Sequence, residues 1–318
     1  METFEIVAKK NKRQLTKKII TVSFMVIIFC IIVGLSSYMT LRHFTKENFL
    51  KIENYYRVKN FINQPNLIVG ETKVTKTSQL QGLYTVTEQK DLDGVKIPYQ
   101  NLESTYWYRD ISLRNHIEQE NWPLSDGSMG LYHVSSGYKV AQFENVHISE
   151  KMRNGEPIHQ ELPLIHHMEN QLVEVAITFD KSYSYDDISA MIPDNLKINW
   201  YWFGTHTEYD VNEYDANRLF GLTLNSETKG TEYNSIISEL KTMNLSDYFK
   251  YSSSGDSAKN DLEQYLKEMP TLKEAKFSGL ILTGKAENFA QLDGKSWIYA
   301  SSIGASIPNQ PYYKLDKE

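Results

Sequence analysis

The chain has 318 residues, and its 34 Lys and Arg face 40 Asp and Glu, which gives a net charge of −6 at neutral pH. This length suits one large or two ordinary domains, and the acidic balance argues against nucleic acid as a partner. Cys30 is the only cysteine, so the sequence excludes a disulfide-stabilised fold.

An uncharged apolar run extends from Ile19 to Leu41, directly after the basic stretch from Lys9 to Lys18. A helix needs about 20 residues to cross a bilayer, so residues 19–41 are predicted to form one transmembrane helix. The alternative is a cleaved signal peptide. The sequence disfavours it because the run is longer than a usual signal core and no A-x-A cleavage site follows.

The flanking charges predict the orientation of this helix. Residues 1–18 hold six basic and two acidic residues, whereas the rest of the chain holds 28 basic and 38 acidic residues. Lys and Arg remain on the cytoplasmic side, so we expect a basic cytoplasmic tail at residues 1–18 and an extracellular part at residues 42–318. A plasma-membrane protein whose outer part lacks cysteine is typical of a Gram-positive surface. The acidic outer part also argues against anionic lipid as its main partner.

Residues 42–65 are predicted to continue as a juxtamembrane helix that Pro65 ends. Apolar residues between Phe44 and Ile62, among them Ile52 and Tyr56, recur at spacings of three and four. A solvated linker helix would expose these aromatic residues, so we expect the helix to pack on the outer domain.

Residues 66–165 are predicted to be a β-rich extracytoplasmic region. From Asn66 to about Leu131, Thr, Val and Tyr alternate with polar residues, which predicts a twisted antiparallel sheet. The sequence DLDG at residues 91–94 is a turn signal between two of its strands. The Gly- and Ser-rich residues 125–137 are predicted to be loops. A mixed stretch at residues 152–158 leads into the final domain.

Residues 166–307 show strand, short helix and strand twice, at residues 172–204 and again at residues 277–307. The predicted fold class is therefore α+β: a single N-terminal transmembrane helix followed by an extracytoplasmic mixed α/β sheet domain with two strand-helix-strand units. Residues 231–243 and 257–269 are helical by period, and Asp256 or Ser257 is predicted to cap the second helix. Residues 308–318 are expected to be a frayed tail.

The sequence predicts no metal site and no cofactor. His159, His166 and His167 are the densest histidine group, but their spacing is not one that zinc sites use. Neighbouring histidines on a strand would also point to opposite faces.

Catalytic residues are also predicted to be absent, so we do not expect an enzyme. The chain has no G-x-S-x-G motif, no S-x-x-K motif accompanied by its partner motifs, and no H-E-x-x-H motif. The carboxylate pairs Asp186-Asp187 and Glu118/Glu120 fit solvated faces. The run NWYWFG at residues 199–204 could stack on a sugar or a peptide, but core packing on both faces of a strand is favoured.

Several segments together resemble the sigma factor regulator proteins of Firmicutes, over about residues 10–100 and 150–305. These segments are YYRVKNFINQPNLIVGE, EVAITFDKSYSYDDISAMIP with KINWYWFG, and FSGLILTGKAENFAQL with IYASSIGA. The resemblance implies an anti-sigma system, in which a cytoplasmic part holds a sigma factor and an outer part responds to the envelope. The 18-residue tail departs from that pattern because it is too short for a helical anti-sigma domain, and the family's zinc-type Cys/His motif is absent.

Three functions follow from the sequence as hypotheses. The first is a single-pass membrane regulator of an extracytoplasmic-function sigma factor. It would act directly or through a second membrane subunit that meets the small residues Gly34, Ser36 and Ser37. An envelope ligand could bind its outer domain. The second is an anchored surface enzyme or binding domain acting on envelope peptide or glycan, which needs His, Asp or Glu gathered in one cleft. The third is a passive structural or adhesive domain.

Overall fold

A computed structural model describes residues 2–62, 65–113, 120–123, 131–148, 158–205, 213–214, 219–224, 229–251 and 255–317. Glu118 and most of the mixed stretch at residues 152–158 lie outside the described residues. The first element, α1, is one helix over Glu2–Ile62. At 1.5 Å per residue, its 61 residues extend about 90 Å. The transmembrane and juxtamembrane helices predicted from the sequence are therefore continuous.

The first sheet has four strands in the order β1-β2-β3-β4: β1 (Leu67–Ser78), β2 (Gln81–Leu92), β3 (Val95–Trp107) and β4 (Ile111–Ser112). All its pairs are antiparallel, as the alternating sequence predicted. Asp93 and Gly94 form the two-residue turn between β2 and β3. Both have positive φ, 54° and 88°, which a type I′ hairpin turn requires.

Short strands follow the first sheet: β5 (Glu120–Pro123), β6 (Leu131–Ser135), β7 (Tyr138–Lys139) and β8 (Phe143–Glu144). The loop predicted at residues 125–137 is wrong in part, because residues 131–135 form β6 between β5 and β7. Strand β6 is hydrogen-bonded to a neighbouring strand on each side, and this pairing offsets the low strand propensity of the Ser and Gly residues in the segment. A 3-10 helix over Leu162–His167 leads to the second sheet.

The second sheet contains both strand-helix-strand units that the sequence predicted. The first unit is β9 (Gln171–Ser184), α2 (Tyr185–Met191) and β10 (Lys197–Trp202). Three elements follow between the units: β11 (Glu213–Tyr214), β12 (Gly221–Leu222) and a helical insertion. The second unit is β13 (Lys276–Lys285), a 3-10 helix (Ala286–Leu292) and β14 (Ile298–Pro308).

The two units interleave, and this differs from the mixed sheet that we expected. The strand order is β12-β10-β13-β9-β14, so each unit's two strands are separated by a strand of the other unit. Every described strand pair of this sheet is antiparallel. The arrangement is a split βαβ fold. The order of the strands along the chain does not reveal this interleaving. The pairs β10-β13, β13-β9 and β9-β14 each join a strand of one unit to a strand of the other unit, which is far away in the sequence.

The insertion holds three helices: α3 (Lys229–Thr242), α4 (Leu245–Tyr251) and α5 (Gly255–Glu268). The helices predicted at residues 231–243 and 257–269 are confirmed within two residues, whereas α4 was not predicted. The predicted cap of α5 is wrong, because Asp256 and Ser257 lie inside its first turn. The helix begins two residues earlier than its apolar period suggested.

Both faces of the second sheet are buried, as predicted for NWYWFG. Trp200 and Trp202 pack with Phe143 on one face, while Tyr201 and Phe203 join the main core on the other. All four side chains are at most 6% exposed, so none provides an open stacking platform.

The expectation of a frayed C-terminus is wrong for residues 313–316. Tyr313 and Leu315 pack on a small apolar cluster, and the amide of Asp316 donates to the carbonyl oxygen of Asp93 at 3.1 Å. Lys197 forms an ion pair with Asp316. The tail therefore lies over the β2–β3 turn.

Candidate functional site

The outer segment of α1 lies between the first sheet and the helical insertion. Tyr56 stacks on Tyr84 of β2 with ring centroids 5.5 Å apart, and Tyr55 stacks on Tyr248 of α4 at 5.1 Å. On the helical side, the amide of Asn54 donates to the carbonyl oxygen of Asn244 at 3.2 Å. Because both sides are occupied, this segment of the helix is part of the core of the protein.

A buried ion pair attaches the same segment to the sheet. The Nζ atom of Lys59 lies 3.1 Å from Glu88 of β2, and their side chains are 1% and 0% exposed. One turn earlier, the hydroxyls of Tyr56 and Ser104 lie 2.8 Å apart. Burial raises the pKa of the Tyr56 hydroxyl, so this group stays neutral. A buried pair of this kind is costly to break, which makes the helix position specific.

A second buried ion pair joins the two sheets. Both oxygens of Glu174, on β9, lie 2.7 Å from the Nζ atom of Lys90 on β2. The Glu174 carboxylate also accepts from the Asn66 amide at 2.8 Å and from the backbone amide of Ala305 at 3.1 Å. Gly304 permits this approach, since a Cβ atom there would lie 2.4 Å from Glu174 Oε2. The carboxylate is therefore fully satisfied although its side chain is 0% exposed.

Amide and hydroxyl groups extend this network across the second sheet. Asn199 of β10 donates to Asn66 at 2.7 Å and accepts from Thr283 of β13 at 2.7 Å. Thr283 in turn accepts from the backbone amide of Asp93 at 3.1 Å. We call the connected set the polar junction; it comprises Asn66, Lys90, Asp93, Glu174, Asn199 and Thr283. It connects the chain just after α1 to both sheets.

A cavity of about 650 Å³ opens beside the polar junction. Asn66, Asn199, Tyr201, Asp194 and Glu232 contribute to its wall. Lys197, also in the wall, lies 3.1 Å from Asp91 and pairs with Asp316. Burial lowers the pKa of Lys197, but the two carboxylates more than offset this and raise it, so the lysine stays charged. The cavity thus offers amide, carboxylate and aromatic groups to a polar ligand.

Residues 165–305, which contain the second sheet, its helical insertion and half of the polar junction, match the family model described as sigma factor regulator C-terminal. This region is similar to the C-terminal domain of sigma factor regulators. The match covers somewhat less than half of the chain. No curated protein and no solved structure matches the chain. Over residues 165–305 the match confirms the resemblance seen in the sequence, and the family is a regulatory one.

In the part of the chain that the structure describes, one helix, Phe4–Ile62, is long and apolar enough to cross a membrane, and its most apolar window has no buried residue. The sigma factor regulator domain and this candidate anchor together support a membrane sigma-regulator role. The family implies a sigma factor as partner and an association with the membrane.

The sequence-predicted candidates that the structure describes lie on different segments of the chain. His166 and His167 are exposed at the end of the 3-10 helix rather than on a strand. The Nδ1 atom of His159 lies 2.7 Å from the buried carboxylate of Glu144. Asp187 accepts from Ser184 in the capping box of α2, while Asp186 is exposed in its first turn. Among the described residues, no three His, Cys, Asp or Glu side chains form a group that could hold a metal ion.

Within the polar junction, the buried position of the Asp93 side chain lowers the stability of the protein. Both carboxylate oxygens are buried without a hydrogen-bond partner among the described residues. Burial raises the pKa of the Asp93 carboxyl from its usual 3.8 to about 6, although the nearby Lys317 backbone amide lowers it in part. A carboxylate whose pKa rises on folding destabilises the fold when it is ionised.

We expect Asp93→Asn to stabilise the protein by about 1–3 kcal/mol at pH 7, because each pKa unit corresponds to about 1.4 kcal/mol. Asn tolerates the positive φ of this turn position. The penalty exists above the folded pKa of about 6 and disappears as pH falls toward 3.8. Denaturant unfolding of both proteins from pH 4 to 8 should show a gap that closes at acid pH. A gap independent of pH would contradict this assignment.

Proposed function

We propose that the chain is a single-pass plasma-membrane protein that regulates an extracytoplasmic-function sigma factor and has no enzymatic activity. In this proposal, residues 1–18 lie in the cytoplasm, residues 19–41 span the membrane and residues 42–318 are extracellular. The sigma factor is reached directly by the cytoplasmic end of α1 or through a second membrane subunit. The observation that carries the proposal is the match of residues 165–305 to the sigma factor regulator C-terminal family.

The continuity of α1 supports a route for the signal. The helix runs without a break from its basic end to Ile62, where its side chains are buried among the first sheet and α4. A rotation or shift of the outer domain would therefore move the cytoplasmic end as well. An envelope ligand would act most directly in the cavity beside the polar junction.

The cytoplasmic end of α1 offers a surface for the sigma factor. Phe4, Val7 and Leu15 lie along one side of the helix, and each side chain is more than half exposed. Exposed apolar residues at helical spacing are typical of a helix that docks in a partner's groove. The adjacent Gln14 is polar and exposed, so it provides a matched control.

The proposal predicts that deletion of the gene raises transcription from the promoters of one extracytoplasmic-function sigma factor by about tenfold, as a loss of about 1.4 kcal/mol of inhibitory binding would allow. The native chain and Gln14→Ala should restore repression. Phe4→Ala combined with Leu15→Ala should not, at equal protein levels in the membrane fraction. An unchanged transcript profile after deletion would contradict the proposal and favour an anchored enzyme or a passive surface domain.

A further inference from the structure

We propose that one edge of the first sheet rests on the phospholipid headgroups of the membrane that α1 spans. This inference depends on the proposed membrane anchor. The edge consists of two turns: residues 78–81 between β1 and β2, and residues 107–110 between β3 and β4. We call it the membrane-proximal edge. It is a second contact between the protein and the bilayer, distinct from the spanning helix.

Three contacts with α1 fix the position of this edge along the helix axis, and therefore its distance from the hydrocarbon core. The hydroxyl of Tyr38, inside the apolar run, contacts Gln79 Oε1 at 3.5 Å. The Thr45 hydroxyl donates to the carbonyl oxygen of Leu80 at 3.4 Å, and the Asn48 amide donates to that of Trp107 at 2.7 Å. Gln81 pairs directly with Trp107, so both turns lie side by side.

The dimensions of a bilayer then show which layer of the membrane this edge contacts. Thr45 follows the last residue of the apolar run, Leu41, by four positions, which is about 6 Å along the helix axis. The headgroup layer on each side of the hydrocarbon core is about 5–8 Å deep. Tyr38 lies even nearer the hydrocarbon than Thr45 does. The turn that contacts both residues is therefore at the level of the headgroups.

The side chains at this edge have the chemistry that headgroups favour. Four exposed cations surround it: Arg42, Lys46, Lys76 and Arg109. None of them has an ion-pair partner among the described residues. Two acidic side chains nearby, among the residues that the structure describes, already have partners: Glu47 pairs with His43, and Asp110 accepts from the backbone amide of Ile111. The free cations can therefore pair with lipid phosphates.

Aromatic residues complete the surface. Trp107 and Tyr108 are half-buried at the edge, and the Arg109 guanidinium lies 5.5 Å from the Tyr108 ring. Trp and Tyr concentrate at bilayer interfaces because one end of each ring system is apolar and the other polar. The outer part of the chain is acidic as a whole, and Asp91, Asp93 and Asp316 lie at the opposite end of the sheet. The basic charge is thus concentrated on the end that faces the bilayer.

The test uses the full chain with Cys30→Ser, reconstituted in nanodiscs that carry a headgroup-attached nitroxide quencher. An NBD fluorophore is placed at Gln79→Cys in the edge or, as a control, at Lys96→Cys. Lys96 is exposed on β3, 11 residues from Trp107 and therefore about 36 Å away along the strand. NBD at the native Cys30 in the unmodified chain reports separately whether the helix has inserted.

We expect quenching at position 79 to exceed that at position 96 by about threefold or more, because the headgroup layer is only about 5–8 Å deep. Quenching at position 79 should rise further when part of the phosphatidylcholine is replaced by phosphatidylglycerol. Lys76→Gln with Arg109→Gln should remove that rise. Equal quenching at both positions, with Cys30 inside the bilayer, would overturn the inference and leave the anchor standing. A water-exposed Cys30 would overturn both.

Discussion

Replacement of Glu174 by alanine is expected to destabilise the protein by about 3–5 kcal/mol, because it leaves the Lys90 ammonium buried without its counter-ion. The substitution also removes the acceptor for the Asn66 amide and the Ala305 backbone amide. Denaturant unfolding in detergent micelles, followed by tryptophan fluorescence, measures the change. The split βαβ sheet should unfold at a lower denaturant concentration than in the native protein.

A double-mutant cycle separates the free energy of the ion pair from the free energy lost with side-chain packing. Lys90→Met and Glu174→Gln should each destabilise the protein, since each leaves one buried charge uncompensated. The double variant buries no charge at this position, so it should be more stable than the sum of the single changes predicts, by about 1–3 kcal/mol. Strict additivity, or single changes that cost less than about 1 kcal/mol as surface pairs do, would contradict a buried pair.

Replacement of Tyr56 by alanine should detach the outer segment of α1 from the first sheet at a cost of about 3–5 kcal/mol. The side chain is 1% exposed, stacks on Tyr84 and contacts the Ser104 hydroxyl. Removing the ring opens a cavity between helix and sheet. Limited proteolysis should show cleavage within residues 44–62, where the native helix is protected.

Two control variants make the Tyr56 prediction specific. Tyr56→Phe keeps the ring and loses the buried hydrogen bond with Ser104, so we expect a loss of about 1–2 kcal/mol of stability. Arg57→Ala removes an exposed side chain that pairs with Glu239, which should cost less than about 1 kcal/mol. If Arg57→Ala were as damaging as Tyr56→Ala, the helix would be held by its solvent-facing side and our description would be wrong.

Local features of the fold could be predicted because each depends on neighbouring residues. The period of Ile52 and Tyr56 indicated the buried face of α1, DLDG indicated the β2–β3 hairpin, and the alternation of Trp200 and Tyr201 indicated two buried faces. The order of strands in the second sheet could not be predicted. It depends on pairings such as that of Val175 with Leu282, which no short window contains.

Only one feature of the sequence indicated the polar junction. Glu174 interrupts the apolar run LVEVAITFD, and a carboxylate in a buried strand implies a buried partner. Nothing in the sequence distinguishes Lys90 from the exposed lysines around it. Asn66 and the C-terminal residues join the network only through tertiary contacts, so their roles became visible in the structure.

Site-specific photocrosslinking in cells can show whether this chain reaches a sigma factor from the membrane. A photoreactive phenylalanine analogue replaces Leu15 in the cytoplasmic end of α1 or, as a control, Tyr312 in the outer domain. We expect position 15 to form a crosslink to an extracytoplasmic-function sigma factor, or to a membrane subunit that itself binds one, and position 312 to form neither. Failure of position 15 to crosslink to either, with the protein present in the membrane, would contradict a role of this chain in sigma factor regulation.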